Sequence, residues 1–462
     1  MTFRYSLLAL TALAASAFTP AGAANDAMPP LQPDPRISAI LSQVSAARLA
    51  ADDRRLVGFG TRNDFSDTSS TKTHGVFAAR GWIAAQFEAI APTAHGRMTV
   101  SLDNFVQPKT PRTPRAVQES SVIATLQGSE PGRIYVLSSH YDDCNGSCTS
   151  GTGFAPGADD NGSAVSAVLE AARVMARTHF RGTIVFACFD GEELGLWGSD
   201  HYAKELAARH APVLAVLNND IIGDTDGGGG LREPDVIRVF SEALPAGTVD
   251  ARVNLIGSEN DSPSRELSRF IAETVPVYVP RFSVRQIFRA DRFMRGGDQQ
   301  SFQAVGYAAV RFVESHENFA HQHQNVRVQD GVQYGDLPQY IDPAYLARAA
   351  RANIAALATL ALGPAPPPDV QMVLAHLGYT TTLRWQRAAD AVGYEIVWRA
   401  TDAPAWQYAH RVGDVLTATV AASKDDYIFG VRSIDARGLR SPAVFPTPVR
   451  AAVARNPNSS LP

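Results

Sequence analysis

One stretch limits the fold more than any other. Residues 183–189 (T-I-V-F-A-C-F) form a continuous apolar run that ends in Asp190-Gly-Glu-Glu. A strand with one wet face alternates apolar and polar residues, so an unbroken run predicts a strand buried on both faces. Strand-like runs at 121–126, 133–139 and 213–217 surround it, and helical patterns at 164–178 and after Trp197 separate them. In the first of these helices Val165, Val168, Leu169, Ala172 and Met175 follow the 3.6-residue period. Alternating strands and helices of this kind predict an α/β sheet with helices on both sides.

Composition excludes several classes. The chain has 462 residues, 45% hydrophobic and 19% charged, which argues against disorder, collagen or coiled coil. At roughly 150 residues per domain it has room for two or three domains. A net charge of −4 leaves no electrostatic footprint for nucleic acid or an anionic membrane. Three cysteines cannot form a disulfide scaffold. Cys188 sits within the apolar run and reads as a packed thiol.

The ends of the chain read differently from its middle. Arg4, the thirteen-residue apolar run 6–18 and Ala21-Gly-Ala23 make residues 1–23 an export signal. Thirteen residues fall short of the ~20 that a spanning helix needs. Residues 24–36 read as a linker or short pro-segment, 37–363 as the large α/β domain, and 364–368 as a proline-rich linker. Within 369–452 the short strand candidates 382–385, 393–399, 417–421 and 427–434 predict a small all-β sandwich, followed by a tail over 453–462.

The chemistry-bearing residues stand at the ends of the apolar strands. His140 and Asp142 close one strand with i, i+2 spacing, which puts them on one face. A carboxylate beside an imidazole fixes its tautomer, as around a metal-bound histidine. Gly157-Ala-Asp-Asp-Asn-Gly-Ser163 offers more acid than one helix cap needs, and a carboxylate there could bridge two cations. Glu192 and Glu193 follow the most apolar strand. One can bind metal while its neighbour takes a proton from water. Asp220 ends another apolar run, where an unpartnered carboxylate would be expensive. His321 and His323 lie in Phe319-Ala-His-Gln-His, and on a regular strand both could not serve one metal.

Imidazole and carboxylate ligands suit zinc. Two zinc ions would be left with one net positive charge by the carboxylates of Asp160, Glu193 and Asp220. A bridging hydroxide balances that charge and is the nucleophile peptide hydrolysis needs.

His140-Tyr-Asp142, G-A-D-D-N-G-S, G-E-E-L-G-L-W-G-S, N-N-D and the late histidine, taken in order, resemble the di-zinc exopeptidases that include bacterial leucyl aminopeptidases and the glutamate carboxypeptidase group. The resemblance covers roughly residues 46–362. It implies a mixed β-sheet between helix layers, with two zinc ions at the carboxyl ends of central strands and peptides as substrates. Carried over residue by residue, it makes His140 and Asp220 ligands of one zinc, Glu193 and His321 ligands of the other, and Asp160 the bridge. Glu192 is then the general base and Asp142 the residue that orients His140. The C-terminal segment resembles a fibronectin type III module, through L-R-W ending at Trp385, Y-E-I-V-W-R from Tyr394 and Y-I-F-G-V-R-S-I-D from Tyr427.

The chain also departs from the family. The gap between His140 and Asp160 is long and carries Cys144 and Cys148, for which we expect a small disulfide on the rim of the cleft. Gly296-Gly-Asp-Gln299 lacks a histidine that many relatives have, and Asn325 replaces an aspartate after the late histidines. The spacing favours His321 over His323. His316-Glu317…His321 is one residue too long for a metal-binding H-E-x-x-H helix, and no G-x-S-x-G elbow occurs. Arg281 with Arg285, or Arg292 with Arg295, could hold a substrate carboxylate. Export and the motif set together predict an exported zinc aminopeptidase. A zinc carboxypeptidase and a non-catalytic binding protein of the same fold are the alternatives.

Overall fold

The computed structural model describes residues 26–244, 256–375 and 378–449. The export signal, the first two residues of the expected linker, the last three of the expected sandwich and the tail lie outside the described residues.

Eight strands make one mixed sheet: β1 (Met98–Gln107), β2 (Val117–Leu126), β3 (Glu130–His140), β4 (Gly182–Phe189), β5 (Val213–Asn219), β6 (Val236–Ser241), β7 (Ser283–Ile287) and β8 (Ala309–Glu314). Their order is β1-β2-β4-β3-β5-β8-β6-β7. The central four, β4-β3-β5-β8, run parallel, while β2 and β6 join this core antiparallel. Parallel neighbours place their carboxyl ends along one edge, where open α/β sheets bind ligands.

The apolar run behaves as its composition requires. Every residue of β4 is buried. Ile184, Phe186 and Cys188 enter a core built with the helices Val76–Ile90, Ala164–Met175 and Pro343–Leu362. Val185, Ala187 and Phe189 face the opposite way, onto the helices Trp197–Ala208 and Gln299–Ala304. Successive side chains on a strand alternate sides, so both faces are dry. The Cys188 thiol is fully buried and burial pushes it up to about 12, which keeps it inert. The fold is thus the expected mixed sheet between helices.

After Gly363 a four-stranded and a three-stranded sheet share a core that includes Leu383, Trp385, Tyr394, Ile396, Trp398, Phe429 and Val431. This unit is docked on the larger one by charge. Arg399 reaches the buried Asp261, Trp406 Nε1 donates to Glu266 (3.2 Å), and Arg432 pairs with Glu273 (2.7 Å). The segment expected to be a linker also lies against it: the Ala409 N–H donates to the Asp26 carbonyl (2.8 Å), and Ala27 bridges to Tyr408. No helix among the described residues is long and apolar enough to cross a membrane.

Candidate metal centre

Five backbone junctions bring the acidic and histidine side chains together. His140 is the last residue of β3 and pairs in register with Phe189, the last of β4. Beyond Phe189 the chain turns at Gly191, whose φ of 72° favours glycine. A Cβ there would also meet Trp197 at 2.8 Å. That turn aims the next two N–H groups at one carboxylate. Oδ1 of Asp142 accepts from Glu192 N (3.2 Å) and Oδ2 accepts from Glu193 N (3.0 Å). Oδ1 of Asp142 also lies 3.3 Å from Nδ1 of His140, so a single buried aspartate positions both the histidine and the glutamate pair.

Asp160 comes from the turn Ala158–Ser163. Asn161 ties that turn to the end of β5, donating to the Asn219 carbonyl (3.0 Å) and accepting from Ile221 N (3.3 Å). The neighbouring Asp159 turns the other way and accepts from Gly223 N (2.7 Å) and Asp224 N (3.2 Å). Asp336 accepts from Asp160 N (2.7 Å). Asp220, just past β5, gives one oxygen to the buried Arg311 (2.9 Å) and turns the other toward His140 Nε2 (3.6 Å).

The late histidines sort differently from the spacing argument. His323, not His321, joins the cluster: its Nε2 lies 2.9 Å from Asp160 Oδ2 and 3.0 Å from Glu193 Oε2. His321 is held elsewhere. Its Nδ1 meets Asp224 Oδ2 (2.8 Å), its Nε2 faces Asn318 (3.3 Å), and its ring stacks on Tyr340 at 3.6 Å. The reason is local. Residues 319–323 form turns rather than a strand, and His323 adopts a left-handed φ of 53°, so strand spacing does not apply. The other expected site residues, His140, Asp142, Asp160, Glu192, Glu193 and Asp220, do converge.

Electrostatics fit this cluster to cations. Burial favours neutral imidazoles, yet the surrounding carboxylates outweigh it. Glu192, Asp142, Asp160 and Asp220 hold His140 well above its ordinary value, and Glu193 with Asp160 pushes His323 up to about 11. Burial raises the Glu192 carboxyl well above the usual range, with the His140 charge opposing it. The site thus demands positive charge. Nε2 of His140, Oε1 of Glu193 and Oδ1 of Asp220 are buried and make no hydrogen bond among the described residues. Two imidazoles and three carboxylates with such orphaned atoms form a donor set that fits zinc.

The centre opens into a cleft of about 340 Å³ lined by Glu192, Leu196, Met294 and three arginines, Arg112, Arg292 and Arg295. Arg292 and Arg295 both pair with Glu317 (2.8 and 2.9 Å), so these two expected carboxylate anchors are already engaged. The Arg112 side chain has no hydrogen bond or ion pair among the described residues, and nothing in its surroundings in the sequence marked it. Cys144 and Cys148 are joined as a disulfide. One sulfur of each approaches Glu193 and His323 within the same 4.8 Å group, so the bridge forms one wall of the site. Arg311 and Asp336 were also not legible as site residues, because each lies far in sequence from the motif it supports.

Residues 121–356 match the model of peptidase family M28. A probable zinc metalloprotease of Leptosphaeria maculans is 42% identical over 422 residues, covering 90% of this chain and 98% of that one. A second from Pyricularia oryzae is 42% identical over 428 residues, covering 90% and 85%. Among solved structures, LapA of Legionella pneumophila superposes with a TM-score of 0.53 at 20% identity, over 72% of this chain and 77% of that one. LapB of the same organism gives 0.51 at 17%, over 72% and 76%.

Proposed function

The chain belongs to peptidase family M28, and from that premise we propose that it is an exported two-zinc aminopeptidase with Glu192 as general base. The observation that carries this reading is the sharing of Asp160. Nε2 of His140 lies 3.3 Å from one of its oxygens and Nε2 of His323 lies 2.9 Å from the other. His140 and Asp220 would hold one ion, Glu193 and His323 the other, and Asp160 both. His323 thereby takes the role that the spacing gave to His321.

Zinc bound there supplies Lewis acidity toward the peptide carbonyl and eases ionisation of water. The protein supplies the proton path. Glu192 lines the cleft, and its backbone N–H is fixed on Asp142. Burial raises its carboxyl, which brings a glutamate nearer the range of a base working at neutral pH. Its carboxylate accepts a proton from the attacking water and returns it to the departing amine nitrogen. Asp142 keeps His140 from rotating by holding Nδ1, so Nε2 stays turned inward.

Export rests on the basic, apolar and A-x-A order of residues 1–23. The C-terminal sandwich is read as a fibronectin type III-like module on the Trp385, Tyr394 and Tyr427 motifs. One observation favours a carboxypeptidase as the second reading: Arg112 lines the cleft with its guanidinium unengaged. Metal analysis together with a panel of reporter peptides tests both. Two zinc ions per chain and cleavage only of peptides with a free amino end are expected. Cleavage of N-acetylated peptides with a free carboxylate, lost in Arg112→Ala, would replace the first reading by the second.

A further inference from the structure

Close enough to Asp142 to feel its charge, three more carboxylates meet. Asp64 comes from the turn Asp64–Ser66, Glu119 from β2, and Asp190 from the residue after β4. They are 1%, 0% and 1% exposed, and one oxygen of each lies within 4.8 Å of the others. A fully buried carboxylate normally takes hydrogen bonds from N–H groups. Here both oxygens of Glu119, both of Asp64 and Oδ1 of Asp190 accept none among the described residues. Only Oδ2 of Asp190 is served, by Ser120 N at 3.1 Å.

The same protein shows what a self-sufficient acidic nest looks like. Asp159, Glu314 and Asp336 are buried acids too, yet each accepts backbone N–H groups, from Gly223, Asp224 and Asp159 respectively at 2.7–2.9 Å. No oxygen of those three is left unmet among the described residues. The Asp64 group differs in kind. Its nearest compensating charge is Arg80, whose buried Nη1 also makes no hydrogen bond there. Three carboxylates against one guanidinium leave two negative charges, the charge a divalent cation balances.

We propose that Asp64, Glu119 and Asp190 hold a hard divalent cation of the calcium class, separate from the zinc pair. A triangle with edges of at most 4.8 Å has a point within about 2.8 Å of every corner, close to the ~2.3–2.6 Å of calcium–oxygen bonds. Oxygen donors without imidazole or thiolate select calcium over zinc. Phe65, next to Asp64 in the chain, and Val117, two residues before Glu119, pack with Leu194 and Trp197, and apolar neighbours favour direct carboxylate ligation over the hydrated shell that magnesium keeps. Burial, reinforced by mutual repulsion, pushes Glu119 up to about 11, the signature of a site that must take up either protons or a cation. A cation there would tie β2, the end of β4 and the Asp64 turn together close to Asp142.

The experiment uses the full chain, stripped of divalent ions and reloaded with zinc. Equilibrium dialysis against calcium chloride with elemental analysis should find one bound calcium. Thermal unfolding should rise by about 4 °C at a hundredfold excess over Kd. Glu119→Gln and, independently, Asp64→Asn should abolish both responses while zinc content stays as in the parent. Terbium luminescence in the unmodified chain, excited through tryptophan and quenched by added calcium, reads the same site without any substitution. No calcium uptake, uptake unchanged in both variants, or a third zinc in place of calcium would each overturn the proposal. A parent chain indifferent to calcium, with Glu119→Gln more stable than it, would show that shared protons, not a cation, balance the acids.

Discussion

His323 and Asp160 meet at 2.9 Å although they stand 163 positions apart in the chain. The contact depends on the left-handed backbone at His323, which swings its ring away from the side that His321 occupies. The two histidines of Phe319-Ala-His-Gln-His therefore have separate duties. His323→Ala should lower zinc content by one ion and kcat/KM by more than about 100-fold, beyond the usual effect of losing an outer partner. His321→Ala should keep both zinc ions, but leaving the buried Asp224 without its imidazole should destabilise the fold by about 1–3 kcal/mol. Metal analysis and thermal unfolding of the two variants check the assignment, and the reverse pattern would restore His321 as the ligand.

Glu192 has no structural duty that glutamine could not perform. Its backbone N–H, rather than its carboxylate, makes the bond to Asp142. Glu192→Gln should therefore fold, keep its zinc and lose about 10²–10⁴-fold in kcat, the range of general acid–base catalysis. Near-parental turnover with zinc bound would remove the base assignment.

Asp142 acts through others. It faces His140 Nδ1 and receives both glutamate N–H groups. Asparagine can keep one of those acceptors but not both. Asp142→Asn should weaken zinc affinity by about 10–100-fold, read by competition with a chelator of known affinity. An unchanged affinity with reduced turnover would place its effect on Glu192 alone.

Much of this was legible in the sequence for a physical reason. Parallel strands buried on both faces must be written as unbroken apolar runs, so β4 and β5 mark themselves, and the polar residues at their ends stand out. The motifs around His140, Asp160, Glu192 and Asp220 are each local, and the parallel sheet supplies their convergence. What escaped was set by other forces. β1 is an edge strand with most residues partly or fully exposed, and β7 is a short edge of mixed character, so neither carries an apolar signature. The choice between His321 and His323 depends on a turn whose backbone no periodicity describes. Asp336, Arg311 and the Asp64–Glu119 contact join segments far apart in the chain, and nothing near any of them announces its partner.

Glu395 gives the C-terminal sandwich a pH dependence of known sign. It is fully buried, and Arg432 (2.8 Å), Arg411 (2.9 Å) and Arg440 (3.1 Å) surround it. Burial alone would raise its carboxyl, but the arginines outweigh burial and hold it below its ordinary 4.5. A carboxyl with a depressed folded value stabilises the fold above the unfolded value. That contribution is therefore complete above pH 4.5 and disappears as pH falls through the lower folded value. Unfolding of the sandwich, followed by tryptophan fluorescence, should shift to lower temperature between neutral pH and pH ~3. Glu395→Gln should remove this contribution to the acid sensitivity and cost about 3–5 kcal/mol at neutral pH, because buried guanidinium groups lose their counter-charge.

Arg399 couples the two units. Reaching from the sandwich, it meets Asp261 just ahead of the helix Pro263–Tyr278, and Arg269 holds the same carboxylate oxygen at 3.2 Å. Glu266 completes the group by accepting from Trp406 Nε1. Deleting residues 365–462 would free these charges to water, but it would also strip Leu439 from the core it shares with the peptidase helices. A truncated chain should thus be recovered in lower yield for lack of a covered apolar face. Arg399→Met separates docking from folding: it leaves the sandwich in place and Asp261 buried with one cation fewer. We expect a loss of about 3 kcal/mol, toward the lower end for breaking a buried pair, since Arg269 remains. Neither Arg399 nor Asp261 lines the cleft, so kcat/KM per folded molecule should hold. Turnover falling in proportion to the stability loss at temperatures well below unfolding would mean that the interface positions the metal centre as well.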